Sequence, residues 1–478
     1  MFLTLRFWGQ FIFLKKNFGI LYFSCIFAGV FSYLVEMKRI FKRKLYDRLL
    51  DWKTRQQGST AVLVEGARRV GKSTLVEFFA RQEYENYILI DFNRVPKTIL
   101  NLFEDLTNLD AIFLHLQQHY QVILKPRKSL IIFDEVQKCP KARQAIKYLV
   151  ADGRYDYIET GSLISIKKNT KDITIPSEEE RMTMFPMDYE EFRWALGDEV
   201  TVELLHHFYC SRKPLGATHR KAMSDFRLYM LVGGMPQAVE TFLSTNNLSL
   251  VDKTKRDILR LYLDDFQKID PTGHAERLFL NIPAQLSNNT RYQPYPVVGH
   301  KSEEKMVELL QALSESKTTL FCHHCADPNV GMSLYKDLSR YKIFLADTGL
   351  FVTLCFWDKD YTENVIYNKL LTDKLEANLG YLYENVVAQM LASAGNQLFY
   401  YTFPKDQKHN YEVDFLLSKG NKLMPIEVKS SGYRTHKSLD AFSEKFSSRI
   451  CERILLYTKD FQKDGMTLCL PVYFTPFL

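Results

Sequence analysis

Short apolar runs rich in β-branched residues alternate with stretches of helical spacing through the first third of the chain. Residues 59–65 (STAVLVE) read as a buried strand, and residues 74–81 as the helix behind it. Tyr87 to Ile90, Leu130 to Phe133 and Tyr155 to Glu159 read as three further strands, each ending in polar residues. Strands separated by helical stretches predict a parallel sheet with helices on its faces. From about residue 200 the spacing of three and four takes over, most clearly over 227–239 and 301–316. Gly233-Gly234 before Pro236 punctuates two helices there. Residues 280–347 read as helices closed by a short strand pair at 342–345, which suits a winged-helix module serving either DNA or protein contact. After residue 379 the order is helix (379–392), three strands (397–402, 411–417, 423–429), helix (436–446) and strand (453–457).

The first strand runs straight into Gly66-Ala67-Arg68-Arg69-Val70-Gly71-Lys72-Ser73, followed by Thr74. This is G-x-x-x-x-G-K-S between a strand and a helix, and these nine residues are the expected nucleotide-binding set. Glycines let the backbone wrap phosphates closely, and the first free N–H groups of a helix point at an anion. Lys72 is expected on the β- and γ-phosphates, and the Ser73 hydroxyl on Mg²⁺. In such a sheet the carboxyl ends of the strands face the ligand, so Asp134 is placed to hold Mg²⁺ and Glu135 to polarise the attacking water. Thr160 is the first choice for a γ-phosphate sensor and Ser162 the second, although a hydroxyl there also suits a turn cap. Arg181, in SEEERMTMFPMDYEEF, is either an arginine finger offered to a neighbouring subunit or one cation solvating an acidic run.

The C-terminal strands carry a second set. Residues i and i+2 of a strand share a face, so Glu427 and Lys429 point together towards Asp414 across a hairpin, with Glu384 on the preceding helix. Two carboxylates, Asp414 and Glu427, are suited to Mg²⁺, and the lysine to orienting water or stabilising a scissile phosphate. This element order resembles the restriction-endonuclease-like, PD-(D/E)XK, fold. Such folds either cut nucleic acid or only bind it.

The runs GARRVGKS, IIFDEVQ, ETGS, FPMDYEEF, YMLVGGMPQAV and KIFLADTGL together resemble the bacterial and archaeal AAA-type ATPases that carry a C-terminal domain of unknown function. The resemblance covers about residues 38–478 and implies ATP binding and hydrolysis by an additional-strand, catalytic-glutamate core. It supplies no settled biological role. One departure is Glu180, which stands before Arg181 where relatives tend to have glycine. The expected division is an apolar extension (1–36), an ATPase domain (37–200), a helical and winged-helix region (201–350) and a nuclease-like domain (351–478).

Charge narrows the partners. The net +7 arises within the first 50 residues, where nine basic side chains face two acidic ones. The remaining 428 residues are balanced at 54 of each sign, which argues against a chain that coats nucleic acid along its length. From residue 379 onwards 12 basic residues face 10 acidic ones, a weak surplus for gripping phosphates. A local groove for nucleic acid, DNA before RNA, and a homo-oligomer both stay open. Asn17 to Val35 is a 19-residue uncharged stretch with basic residues on both sides. It reads as translation from upstream of a start at Met37, as an inner-membrane anchor, or as a buried helix. Eight scattered cysteines favour a reducing compartment, hence a cytoplasmic location, and Cys322-His323-His324-Cys325 reads as structural rather than a zinc site.

Overall fold

The computed structural model describes residues 4–7, 10–13, 39–161, 176–288, 291–362, 364–372 and 380–478. They fall into two units, Met1–Ile40 and Phe41–Leu478. In the first, strands β1 (Thr4–Phe7) and β2 (Gln10–Phe13) pair antiparallel. The uncharged stretch 17–35 lies outside the described residues, and the three readings of it go untested. Among the described residues no helix is long and apolar enough to cross a membrane.

In the second unit, β3 (Ala61–Glu65), β4 (Asn86–Asp91), β5 (Ser129–Asp134), β6 (Asp156–Gly161) and β7 (Glu179–Thr183) form a parallel sheet in the order β4-β5-β6-β3-β7. Strands β3, β5 and β6 are buried along their whole length, which is why β3 and β5 read as mostly apolar runs, while β6 buries Asp156, Glu159 and Thr160 as well. The edge strand β7, EERMT, carries too many charges to be read that way; the sequence pattern shows only an acidic run there. Helix α1 (Lys44–Gln56) buries Leu45, Leu49 and Trp52 along one stripe. The basic residues before and at its start are taken up inside the molecule: Arg43 lies 3.1 Å from Glu191, and Lys44 lies 2.5 Å from Asp188 and 2.7 Å from Glu190. Arg43 and Lys44 are thus paired with the acidic residues of FPMDYEEF. Helix α2 (Lys72–Glu83) follows β3, and α3 (Pro140–Asp152) packs beside β6.

The middle region is helical. Helix α4 (His219–Val232) ends at Gly233-Gly234, and a new helix starts at Pro236, so the pattern over 227–239 divides at the predicted punctuation. Helix α5 (Leu248–Ile269) carries an apolar stripe of Val251, Ile258, Leu259, Tyr262 and Phe266 that also includes the buried Asp252, Lys255 and Arg256.

The second sheet has eight strands in the order β14-β15-β13-β12-β11-β10-β8-β9. They are β8 (Thr319–Cys325), β9 (Lys336–Leu345), β10 (Phe399–Pro404), β11 (Asn410–Lys419), β12 (Lys422–Lys429), β13 (Arg453–Tyr457), β14 (Gln462–Asp464) and β15 (Thr467–Pro471). The segment 342–345, expected to close a winged helix, is the end of β9, which pairs antiparallel with β8. The pair instead extends this sheet, because β8 also pairs parallel with β10 through His323–Phe399 and His324–Tyr400. The sheet therefore crosses the expected 350/351 boundary. Helix α6 (Thr348–Cys355) follows β9, α7 (Gly380–Ser393) precedes β10, and α8 (Lys437–Phe446) packs on β11. Cys322 and Cys325 are buried in β8, and no group of metal-ligating side chains occurs among the described residues. One apolar cluster runs from Leu45 and Trp52 through Phe226 and Leu259 to Phe415 and Phe474, joining both sheets.

Candidate functional site

The phosphate loop is shaped by its two glycines. A side chain on Gly66 would meet the Met184 carbonyl oxygen at 2.3 Å, since Met184 N–H donates to Glu65 at 2.7 Å and brings β7 alongside. Gly71 has φ +99° and forms the N-cap of α2, a conformation that L side chains rarely adopt. Ala67 and Val70 face inward, while Arg68 and Arg69 are exposed. The loop is also held from outside. The buried guanidinium of Arg43 donates to the Val70 carbonyl at 2.9 Å and to the Phe185 carbonyl at 2.6 Å, and Tyr262 on α5 donates to the Arg68 carbonyl at 2.9 Å.

Lys72, at the start of α2, is buried and donates to the carbonyls of Gly66 and Ala67, each at 3.0 Å. Burial pushes its pKa down, and the nearby Glu135 and Asp134 oppose that shift. The next residue, Ser73, donates its hydroxyl to Asp134 Oδ1 at 2.6 Å across the tip of β5. Thr160, fully buried at the tip of β6, donates to the same oxygen, and its own hydroxyl accepts from the Glu135 N–H at 3.2 Å. Glu135 itself sits at φ 57°, an uncommon conformation for a side-chain-bearing residue that turns the chain sharply after the strand. Its carboxylate accepts from Gln137 Nε2.

The predicted Ser73, Asp134, Glu135 and Thr160 are therefore brought together at one edge, beside Lys72. The Ser73 hydroxyl and the Asp134 carboxylate are facing oxygen donors of the kind a small hard cation takes, so the Mg²⁺ that a nucleotide carries fits here. A metal held there would supply positive charge against that of the phosphates. Thr160 is occupied differently from a free sensor hydroxyl: it spaces Asp134 from the Glu135 backbone. Ser162 lies outside the described residues. Arg181 stands on β7, half-exposed, opposite Leu63, with Nε 3.1 Å from Glu179. Glu179 and the fully buried Glu159 share the buried Arg143 of α3.

Of the C-terminal set, Glu384 and Asp414 meet around a group the sequence did not single out, while Glu427 pairs with Lys429. Lys342 on β9, buried, places Nζ 2.5 Å from Glu412, 3.3 Å from Glu384 and 4.0 Å from Asp414. Burial works against the ammonium charge, yet the three carboxylates outweigh it and hold its pKa well above the ordinary lysine value. Asp414 Oδ2 accepts from the Val428 N–H at 2.8 Å, and burial, reinforced by Glu384, pushes its pKa well above the usual carboxylate range. Lys429 lies 3.1 Å from Glu427 and donates to the Thr435 carbonyl. The space between Glu384, Glu412 and Asp414 is thus taken by the Lys342 ammonium.

Comparison with known proteins places the first site. The sequence profile of an AAA domain matches residues 58–193. This part of the chain matches an AAA-type domain, which supports an AAA-type P-loop ATPase. Two domains of unknown function match the rest, DUF8612 over residues 223–361 and DUF4143 over residues 379–473. Comparison with curated proteins finds no match. Among solved structures the chain is similar to a Walker-type ATPase of Pyrococcus abyssi, at 16% identity and TM-score 0.41, covering 66% of this chain and 96% of that one. It is also similar to the Aeropyrum pernix ORC1 protein in complex with DNA, at 12% identity and TM-score 0.28, covering 70% and 93%. The AAA-type domain thus contains the phosphate loop, Asp134, Glu135, Thr160 and Arg181, and Arg43 clasps it from just outside the matched range.

Proposed function

We propose that the chain binds Mg²⁺-ATP at the phosphate loop and hydrolyses it, and that nucleotide state is passed to a C-terminal domain that binds a partner. The observation carrying this reading is the set Ser73–Asp134–Thr160 with the Glu135 backbone, closed beside Lys72. In this reading Lys72 exchanges its two loop carbonyls for phosphate oxygens, whose negative charge offsets the burial of the ammonium. Asp134 and Ser73 hold the metal, Glu135 orients water for attack on the γ-phosphate, and Thr160 fixes the distance between the two acidic residues. Arg181 acts on a neighbouring subunit only if an oligomer draws it away from Glu179.

For the C-terminal domain two readings stand, a Mg²⁺-dependent nuclease and a binding platform without turnover. Lys342 amid Glu384, Glu412 and Asp414 favours the platform. Nucleic acid, DNA first, is the partner that the nuclease-like element order suggests by analogy of fold.

Nucleotide binding and turnover test the first part. Lys72→Ala should abolish ATP binding, while Glu135→Gln should bind ATP and stop hydrolysis. Normal hydrolysis by Glu135→Gln would remove Glu135 from its role. Incubation of plasmid with protein, Mg²⁺ and ATP tests the second: nicking lost in Asp414→Ala would restore the nuclease reading.

A further inference from the structure

We propose that Lys342 is the built-in cation of the C-terminal acidic cluster and keeps divalent metal out of it. This deepens the platform reading and does not depend on ATP hydrolysis.

The argument begins with where the carboxylates come from. Glu384 projects from α7, and Glu412 and Asp414 share one face of β11, so three acids from two elements meet at one place. Like charges so close repel unless they take up protons or share a cation. A metal enzyme meets that need with an ion from solution, whereas here the chain supplies its own. Lys342 is carried on β9 by the backbone pairing of Cys322 with Lys342 and reaches all three acids within 4.0 Å. Its ammonium also lies 5.6 Å from the Tyr400 ring centre, which adds a further favourable contact.

A divalent ion bound to any two of these carboxylates would sit against the ammonium. It would also need six or more oxygen donors, most of them water, in a place where the lysine is only 5% exposed. Lys429 is committed elsewhere, to Glu427 and to the Thr435 carbonyl, so it does not complete a metal-assisted centre. Strand β9 supplies this cation only because β8 and β9 join the sheet.

The test uses the full chain without nucleotide and Mn²⁺ as the probe, followed by electron paramagnetic resonance. Wild type should bind no Mn²⁺ that Glu384→Gln or Asp414→Asn removes; a site in wild type lost in those variants would overturn the proposal. Lys342→Met should gain a Mn²⁺ site that Lys342→Met/Glu384→Gln lacks, and a folded Lys342→Met with no new site would overturn it too. Should Lys342→Met fail to fold, Lys342→Met/Glu412→Gln removes one charge of each sign and carries the same readout. Mn²⁺ bound at Ser73 and Asp134 is distinguished by its indifference to Glu384 and Asp414.

Discussion

Two hydrogen bonds made by one threonine hydroxyl set the spacing of the Asp134 carboxylate from the Glu135 backbone. Thr160→Val keeps the shape and removes the hydroxyl that meets Asp134 and the Glu135 N–H. A hydrogen bond to a charged group contributes about 1.5–3 kcal/mol, so kcat for ATP should fall about ten- to hundred-fold with KM little changed, and Thr160→Ser should recover most of it. Steady-state ATPase kinetics decide between this and a γ-phosphate sensor, for which KM would rise as well. Arg43 offers a second case. Arg43→Gln removes the clasp on Val70 and Phe185 and leaves Glu191 buried beside no cation. Breaking such a pair costs about 3–5 kcal/mol of unfolding free energy, and Arg43→Gln/Glu191→Gln should recover part of it in urea titrations. The phosphate-loop residues were legible because motif, strand and helix agree within a dozen positions. Arg43 and Lys342 were not, since a lone basic residue carries no local sign of partners 142 or 70 positions away.

Elements were legible where their burial has a period. The C-terminal strands and helix fall within a few residues of the expected spans, because apolar alternation and polar turns mark them locally. Pairing between distant strands leaves no such mark, so the joining of β8 to β10 was not legible, and neither was β7 with its charged face. That face of β7 has a measurable consequence. Glu159 on β6 and Glu179 on β7 share Arg143, and Glu159 is fully buried with its pKa raised to about 8, chiefly by burial. An acid with a raised pKa holds more protons folded than unfolded, so this group stabilises the fold at low pH. The stability it contributes is lost as pH rises from the ordinary carboxylate range through about 8. Glu159→Gln should remove that loss, so the difference in unfolding free energy between pH 5 and pH 8 should be smaller in the variant than in wild type. An equal pH 5 to pH 8 difference in unfolding free energy for wild type and Glu159→Gln, from denaturant titrations, would show that Glu159 keeps its ordinary pKa.

Across the whole of Phe41–Leu478, the two sheets share one apolar cluster and one helix that touches both ends of the problem. Helix α5 holds the phosphate loop through Tyr262 and through Asp265, which lies 3.1 Å from Arg68. Two turns earlier, Lys255 donates to the Leu231 carbonyl at 2.7 Å and the Gly349 carbonyl at 3.1 Å. Gly349 lies in α6, two residues after Asp347, which accepts from the Gly234 N–H at 2.6 Å and follows β9 with its Lys342. The phosphate loop and the C-terminal sheet are thus linked through contacts of α5 with α6, and coupling between two sites is reciprocal. Lys255→Met keeps the bulk but drops both carbonyl bonds, loosening α5 against α6 at a point that touches no nucleotide. The expected outcome is a several-fold weaker ATP affinity, a coupling of about 1 kcal/mol, with a matching loss of the ATP-induced hydrogen-exchange protection over residues 343–355. If ATP binds Lys255→Met as tightly as wild type and protects 343–355 equally, α5 is only a scaffold and the nucleotide state reaches the C-terminal sheet by another route.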